Sequence, residues 1–181
     1  FPEEQLAEPV AALLAKSGVN AARFHFLDST GGTPRLIDYD SGSNLRFNEP
    51  ILDRLDRFVA ALERNGIYIN LNLLVGRRFG QGDGVNESIN QLDWKTAHAV
   101  GFFHAPHLAA QKEYARQLLR HKNPHTGRVY AEDPAVAMVE INNENGLMHQ
   151  WFGSQLDALP EPFASDLARQ WNDWLLARYQ A

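Results

Sequence analysis

Three stretches of strand length, residues 19–27, 67–75 and 135–141, are each set between stretches that repeat apolar residues at the helical period. Residues 3–17, 50–64, 106–121 and 165–179 supply the helices, so the order is helix, strand, helix, strand, helix, strand, helix. A chain that alternates in this way builds βαβ units, whose strands run parallel and whose crossovers are right-handed. The expected fold class is therefore α/β, made of parallel βα units. No internal repeat, low-complexity run or linker divides residues 1–181, which read as a single domain.

The helix boundaries carry physical signals. Glu3 and Glu4 stand in the first turn behind Pro2, and Lys16 precedes Gly18, an arrangement that suits the helix dipole and a glycine stop. Leu6, Val10, Leu13 and Leu14 make its apolar face. Pro50 opens the second helix, with Ile51, Leu55, Phe58, Val59 and Leu62 on one side and Asn65-Gly66 at its end. Leu167, Trp171, Trp174, Leu175 and Tyr179 make the apolar face of the last helix, where both tryptophans read as core. Residues 28–49, 76–105 and 147–162 read as loops. Loops as long as the first two are more often functional than neutral.

Strand parity sorts the polar residues. In the first strand Arg23 and His25 share a face with Val19 and Ala21, while Phe24 and Phe26 share the face that helices would cover. In the second strand Asn70 and Asn72 share a face, and a buried amide needs a partner. The third opens after Asp133-Pro134 as an apolar run that reads as a buried strand, then breaks into Asn142-Asn143-Glu144-Asn145-Gly146. Polar residues where a parallel strand leaves its sheet are where α/β proteins keep their chemistry. Glu144 is the candidate on which the rest converges, and Glu140 reads as a structural partner for Arg23 deeper in the same strand.

Composition bounds the partners. Apolar residues make up 44% of the chain, charged residues 22%, and the net charge is −5, which provides no basic footprint for nucleic acid. No window approaches the length of uncharged apolar chain that a membrane span needs. Without cysteine there is no disulfide, thiol nucleophile or thiolate metal site. Seven histidines raise the question of a metal. His104 and His107 are separated by Pro106 with no acidic ligand beside them, and His121, His125 and His149 are scattered, so no metal or other cofactor is expected. The chain opens at Phe1, as a processed or trimmed product would; a removed signal peptide would fit a secreted or periplasmic bacterial protein.

The residues Gly18-Val19-Asn20 with Arg23 resemble the second barrel strand of glycoside hydrolase family 5 and its clan A relatives. The run from Thr126-Gly127 through Tyr130 and Asp133-Pro134 to Asn143-Glu144 is similar to the approach to the fourth strand in cellulase- and β-mannanase-like members. The resemblance extends from about Gly18 to Tyr179 and implies part of a (β/α)8 TIM barrel, about strands two to four, continuing beyond the chain. It implies a retaining hydrolysis of β-linked oligo- or polysaccharide, with Glu144 as acid/base, Asn143 on the sugar 2-hydroxyl and Arg23 beneath the site. The nucleophile glutamate would lie in the remainder of the barrel. Asn72 stands where the family has histidine, and Asn145 where it has proline. Asn72, His25, Trp94 and Trp151 are the candidates for touching substrate, with loop aromatics such as Trp94 and Trp151 equally suited to anchoring a loop. A catalytically inactive barrel that binds glycan or serves as a structural module is the alternative. Part of a barrel would leave sheet edges open to a partner, a second copy or aggregation. No glycine-rich phosphate loop follows a strand, which sets a nucleotide-binding α/β protein aside.

Overall fold

The computed structural model describes residues 1–32, 34–39 and 46–179, so part of the expected loop over residues 28–49 lies outside the described residues. Two compact units emerge: Phe1–Arg77 with Glu113–Asn143, and Arg78–Lys112 with Glu144–Ala181.

The first unit is a parallel βα layer. Helix α1 (Ala7–Lys16) leads to strand β1 (Ala21–Phe24), helix α2 (Glu49–Arg64) to strand β2 (Tyr68–Asn72), and strand β3 (Val136–Glu140) completes a sheet in the order β1-β2-β3. Both pairings are parallel, with Arg23 opposite Asn70 and Asn72 opposite Glu140. A one-residue irregularity opposite Ile69 and Asn70 puts Met138, rather than Ala137, across from Asn70. Ile69 and Leu71 of β2 are fully buried against Leu55, Val59 and Leu62 of α2 and against Tyr114 and Leu118. The last two belong to helix α4 (Ala105–Arg120), which crosses from the second unit into the first.

The run leading to β3 is docked on α2 by a buried polar knot. Asp56, 2% exposed, accepts from the Tyr130 hydroxyl at 2.5 Å and pairs with His121 Nε2 at 2.8 Å. Asn123 Nδ2 donates to the Asp56 carbonyl, and Asp133 Oδ1 accepts from the amide of Ala135 where the strand begins. Burial first, and Asp56 second, push the Tyr130 phenol far above its ordinary range, so it serves as a permanent donor. Tyr130→Phe leaves one Asp56 oxygen buried without that donor and is expected to cost about 1–3 kcal/mol, measured by denaturant unfolding.

Two strands depart from expectation. Strand β1 ends at Phe24, and at Phe26 φ +59° breaks the extended backbone; Phe24 is buried, whereas Phe26, expected on the same covered face, is exposed. Strand β3 is not buried: Met138 and Val139 are exposed, because β3 is a sheet edge with no further strand beside it among the described residues.

In the second unit, the part of the expected loop at residues 78–104 is not a plain loop. It holds short 3-10 turns at Gln81–Asp83 and Glu87–Gln91 and helix α3 (Trp94–Val100), which Asp93 caps by accepting from the amides of Lys95 and Thr96. Helix α5 (Leu147–Phe152) likewise occupies the expected loop at 147–162. Helix α6 (Phe163–Tyr179) is anchored at its first turns, where Phe163 is fully buried against His104 and Asp166 meets His104 Nδ1 at 2.7 Å. Its tryptophans are not core. Trp171 and Trp174 stack on each other and are 58% and 50% exposed, since nothing among the described residues covers that stretch of the helix.

Candidate active site

Parity brings the polar residues of the three strands onto one face. Arg23 makes a bidentate pair with Glu140, Nε to Oε1 at 2.6 Å and Nη2 to Oε2 at 2.7 Å. Asn70 Nδ2 donates to Glu140 Oε1 at 2.6 Å and Asn72 Nδ2 to Oε2 at 3.2 Å. The Arg23 guanidinium, opposed by desolvation and helped by Asn70, holds the Glu140 carboxyl down at about 2, from an ordinary 4.5. A lowered folded-state value means that the pair stabilises fully above the unfolded value of about 4.3, and that this contribution is lost as pH falls through about 2. Glu140→Gln is therefore expected to lower the urea midpoint at pH 7 and to match the parent at the acid end; equal midpoints at pH 7 would contradict the pairing.

The same arginine reaches Asn143. Arg23 Nη2 donates to Asn143 Oδ1 at 2.9 Å, and the Asn143 amide donates to the Leu74 carbonyl at 2.9 Å. With its oxygen engaged by a cation, the Asn143 side chain is oriented to offer Nδ2 as a donor. Asn72 is fully buried and also contacts His25 Nδ1 at 3.2 Å. Glu140 Oε2 and Asn143 Oδ1, both acceptors beside Asn72 Nδ2, fix the amide orientation, so the contact with His25 Nδ1 is a hydrogen bond in the tautomer that carries its proton on Nε2. Of the candidates read from the sequence, Arg23, Asn143, Asn72 and His25 thus form one hydrogen-bonded group with Glu140.

Glu144 follows Asn143 directly and belongs to the second unit. It holds φ +49°, a left-handed conformation that costs a non-glycine residue about 1 kcal/mol. Its side chain is 81% exposed; Lys95 Nζ lies 4.0 Å from Oε2 and 3.5 Å from the Glu144 carbonyl oxygen. Lys95 also sits 4.5 Å over the ring of Trp94, which opens helix α3 rather than lying in a loop. Trp94 in turn is edge-on to His98, whose Nδ1 contacts Asn145 Nδ2 at 3.2 Å. Trp151 is on α5 and lines an apolar groove of about 540 Å³ with Leu147, Met148, Leu167 and Trp171. Among the described residues no cluster of His, Asp and Glu is placed to hold a metal ion. His121 and His125 are engaged by Asp56 and Asp53. No helix among them is long and apolar enough to cross a membrane.

Sequence reasoning missed Asp28. It is fully buried after β1, and its carboxylate accepts from the backbone amides of Val75, Gly76 and Arg77 at 2.8, 3.0 and 2.9 Å. One side chain thereby ties the chain beyond β1 to the chain beyond β2. An aspartate immediately after a strand, followed by Ser-Thr-Gly-Gly, was the available signal.

No protein-family model matches the chain, and no curated protein matches it significantly. Solved structures do. The endo-1,4-beta-mannanase from Rhizomucor miehei is 17% identical, with a TM-score of 0.61 over 80% of this chain and 41% of that one. A glycoside hydrolase family 5 mannosidase from the same organism is 18% identical, with a TM-score of 0.58 over 80% of this chain and 39% of its own. A mutant of that mannosidase in complex with mannosyl-fructose is 18% identical, with a TM-score of 0.55 over 85% of this chain and 42% of its own. The fold is thus that of part of a family 5-like (β/α)8 barrel, and the chain spans well under half the length of each neighbour.

Proposed function

We propose that residues 1–181 belong to one glycoside hydrolase barrel and carry the acid/base end of a retaining site for β-linked glycans. In this reading Glu144 donates its proton to the glycosidic oxygen as a second carboxylate attacks C1, and the C1–O bond breaks to release the alcohol. A water then attacks C1, gives its proton to Glu144 and displaces that second carboxylate, so configuration is retained. The second carboxylate comes from outside the three strands described. Asn143 Nδ2 binds the sugar 2-hydroxyl, and Arg23 and Asn72 position Asn143. Trp94 and Trp151 are candidate stacking surfaces.

The observation that carries this reading is Asn143 held by Arg23 at the C-terminal edge of the sheet, with a carboxylate residue in a strained backbone conformation directly after it. Strain of that kind clusters at functional sites, where the surrounding structure maintains it. The β-mannosides are the first substrates to try, because the structural neighbours are a mannanase and mannosidases. A second reading, an inactive barrel that binds glycan, is favoured by one observation: Glu144 stands open beside Lys95, whereas an acid/base carboxyl works from an enclosed position. Release of reducing ends from β-1,4-mannan and from β-1,4-glucan tests both. Release that Glu144→Gln removes supports the enzyme; binding of the polymers without release supports the inactive barrel.

A further inference from the structure

A cavity of about 160 Å³ opens beside the end of β1, entirely within the first unit, and is lined in part by His25, Phe26, Ser29 and Arg35. Phe26 is the unusual member. A bulky aromatic residue at φ +59° is a genuine backbone outlier, and the strain is not repaid by burial, since Phe26 remains 47% exposed. The ring packs closely on Gly76: a Cβ there would meet Phe26 Cδ1 at 3.1 Å and the Ser29 backbone at 3.3 Å, so a side chain would fit only if the ring gave way by a few tenths of an ångström. Gly76 is itself held by the hydrogen bond that its backbone N–H donates to Asp28 Oδ1 at 3.0 Å. The ring also meets the His25 imidazole edge-on, with centroids 4.4 Å apart.

The result is an aromatic surface open to solvent, beside the His25 imidazole and the Arg35 guanidinium, one of whose nitrogens, Nη1, donates to the Thr30 carbonyl at 3.4 Å while the Ser29 hydroxyl is engaged with Gly31. A pyranose ring has the complementary chemistry: an apolar C–H face for the aromatic and hydroxyls at its rim for the donors. We propose that this cavity is a sugar-binding subsite in which Phe26 is the stacking platform and His25 and Arg35 hold hydroxyl groups. The proposal rests on the glycan reading above and adds to it the residue that would anchor one ring of the chain. Its neighbour Asn72 links His25 to Glu140 and Asn143, so a sugar held here is in register with the hydrogen-bonded group of the strand ends.

The test uses the Glu144→Gln protein, so that sugar is bound without turnover, and titrates β-1,4-mannotetraose and β-1,4-cellotetraose by calorimetry. Phe26→Gly removes the ring and accepts a positive φ without strain; Phe26→Tyr keeps the ring. The expected result is an affinity for at least one sugar lowered about tenfold by Phe26→Gly and retained by Phe26→Tyr, with a melting temperature of Phe26→Gly no lower than the parent's. Equal binding by all three proteins would overturn the subsite and leave the glycan reading standing. A melting temperature that falls in both variants together with the affinity would make Phe26 a structural residue and overturn the platform. A parent that binds neither sugar would overturn the glycan reading itself and the subsite with it.

Discussion

Replacing Glu144 by glutamine is expected to slow hydrolysis of an unactivated β-linked oligosaccharide by roughly 10²- to 10⁴-fold, with little change in affinity. The amide keeps the shape of the side chain and the strained backbone at φ +49°, but holds no acidic proton for the departing oxygen. The loss should depend on the leaving group. An alkoxide leaves slowly without protonation, whereas a dinitrophenolate leaves unaided, so the first step on an aryl glycoside should be much less affected. Comparing kcat/KM on the two substrates separates loss of the proton donor from a general defect. Equal losses on both would mean that Glu144 acts through the fold rather than through its proton.

The second large effect is on stability. Asp28→Ala removes the single acceptor of three backbone amides, of which those of Val75 and Arg77 are in fully buried residues. An unsatisfied buried donor costs about 1–3 kcal/mol; with Gly76 only partly buried and some relaxation of the loop, a loss of about 3 kcal/mol is expected. For a chain of this size that corresponds to a melting temperature lower by about 6–12 °C. Amide exchange at Val75, Gly76 and Arg77 should accelerate more than exchange in α2. An unchanged melting temperature would show that water replaces the carboxylate without penalty. Because the Phe26 ring packs on Gly76, the variant should also weaken sugar binding at the proposed Phe26 subsite.

Strand parity made much of the site legible in advance. Arg23 on one strand, Asn70 and Asn72 on the next and Glu140 on the third fall on one face once the strands are parallel, and the two-residue period of a strand leaves little freedom to place them elsewhere. The expected pairing of Arg23 with Glu140 is present for that reason. The helices at α1, α2 and α4 were legible because their apolar spacing repeats over several turns. What escaped lies where local pattern is too short or where tertiary geometry decides. Helices α3 and α5 have seven and six residues, too few for a period to stand out. The left-handed turn at Phe26 has no marker in an aromatic residue, so parity gave its ring a cover that it does not have. The tryptophans of α6 look like core in the sequence because nothing in a periodic pattern says whether the apolar face has a cover.

The claim at the centre of this account is that Glu144 is the acid/base of a retaining site, and trapping with azide tests it most directly. Glu144→Ala should still cleave a dinitrophenyl β-mannoside in the first step, because the leaving group needs no proton, and then stall for want of a base to activate water. Azide needs no such base. Adding it should restore turnover and yield the β-glycosyl azide. No rescue, or an α-glycosyl azide, would contradict the assignment: the first would deny Glu144 a role as base, and the second would make it the nucleophile.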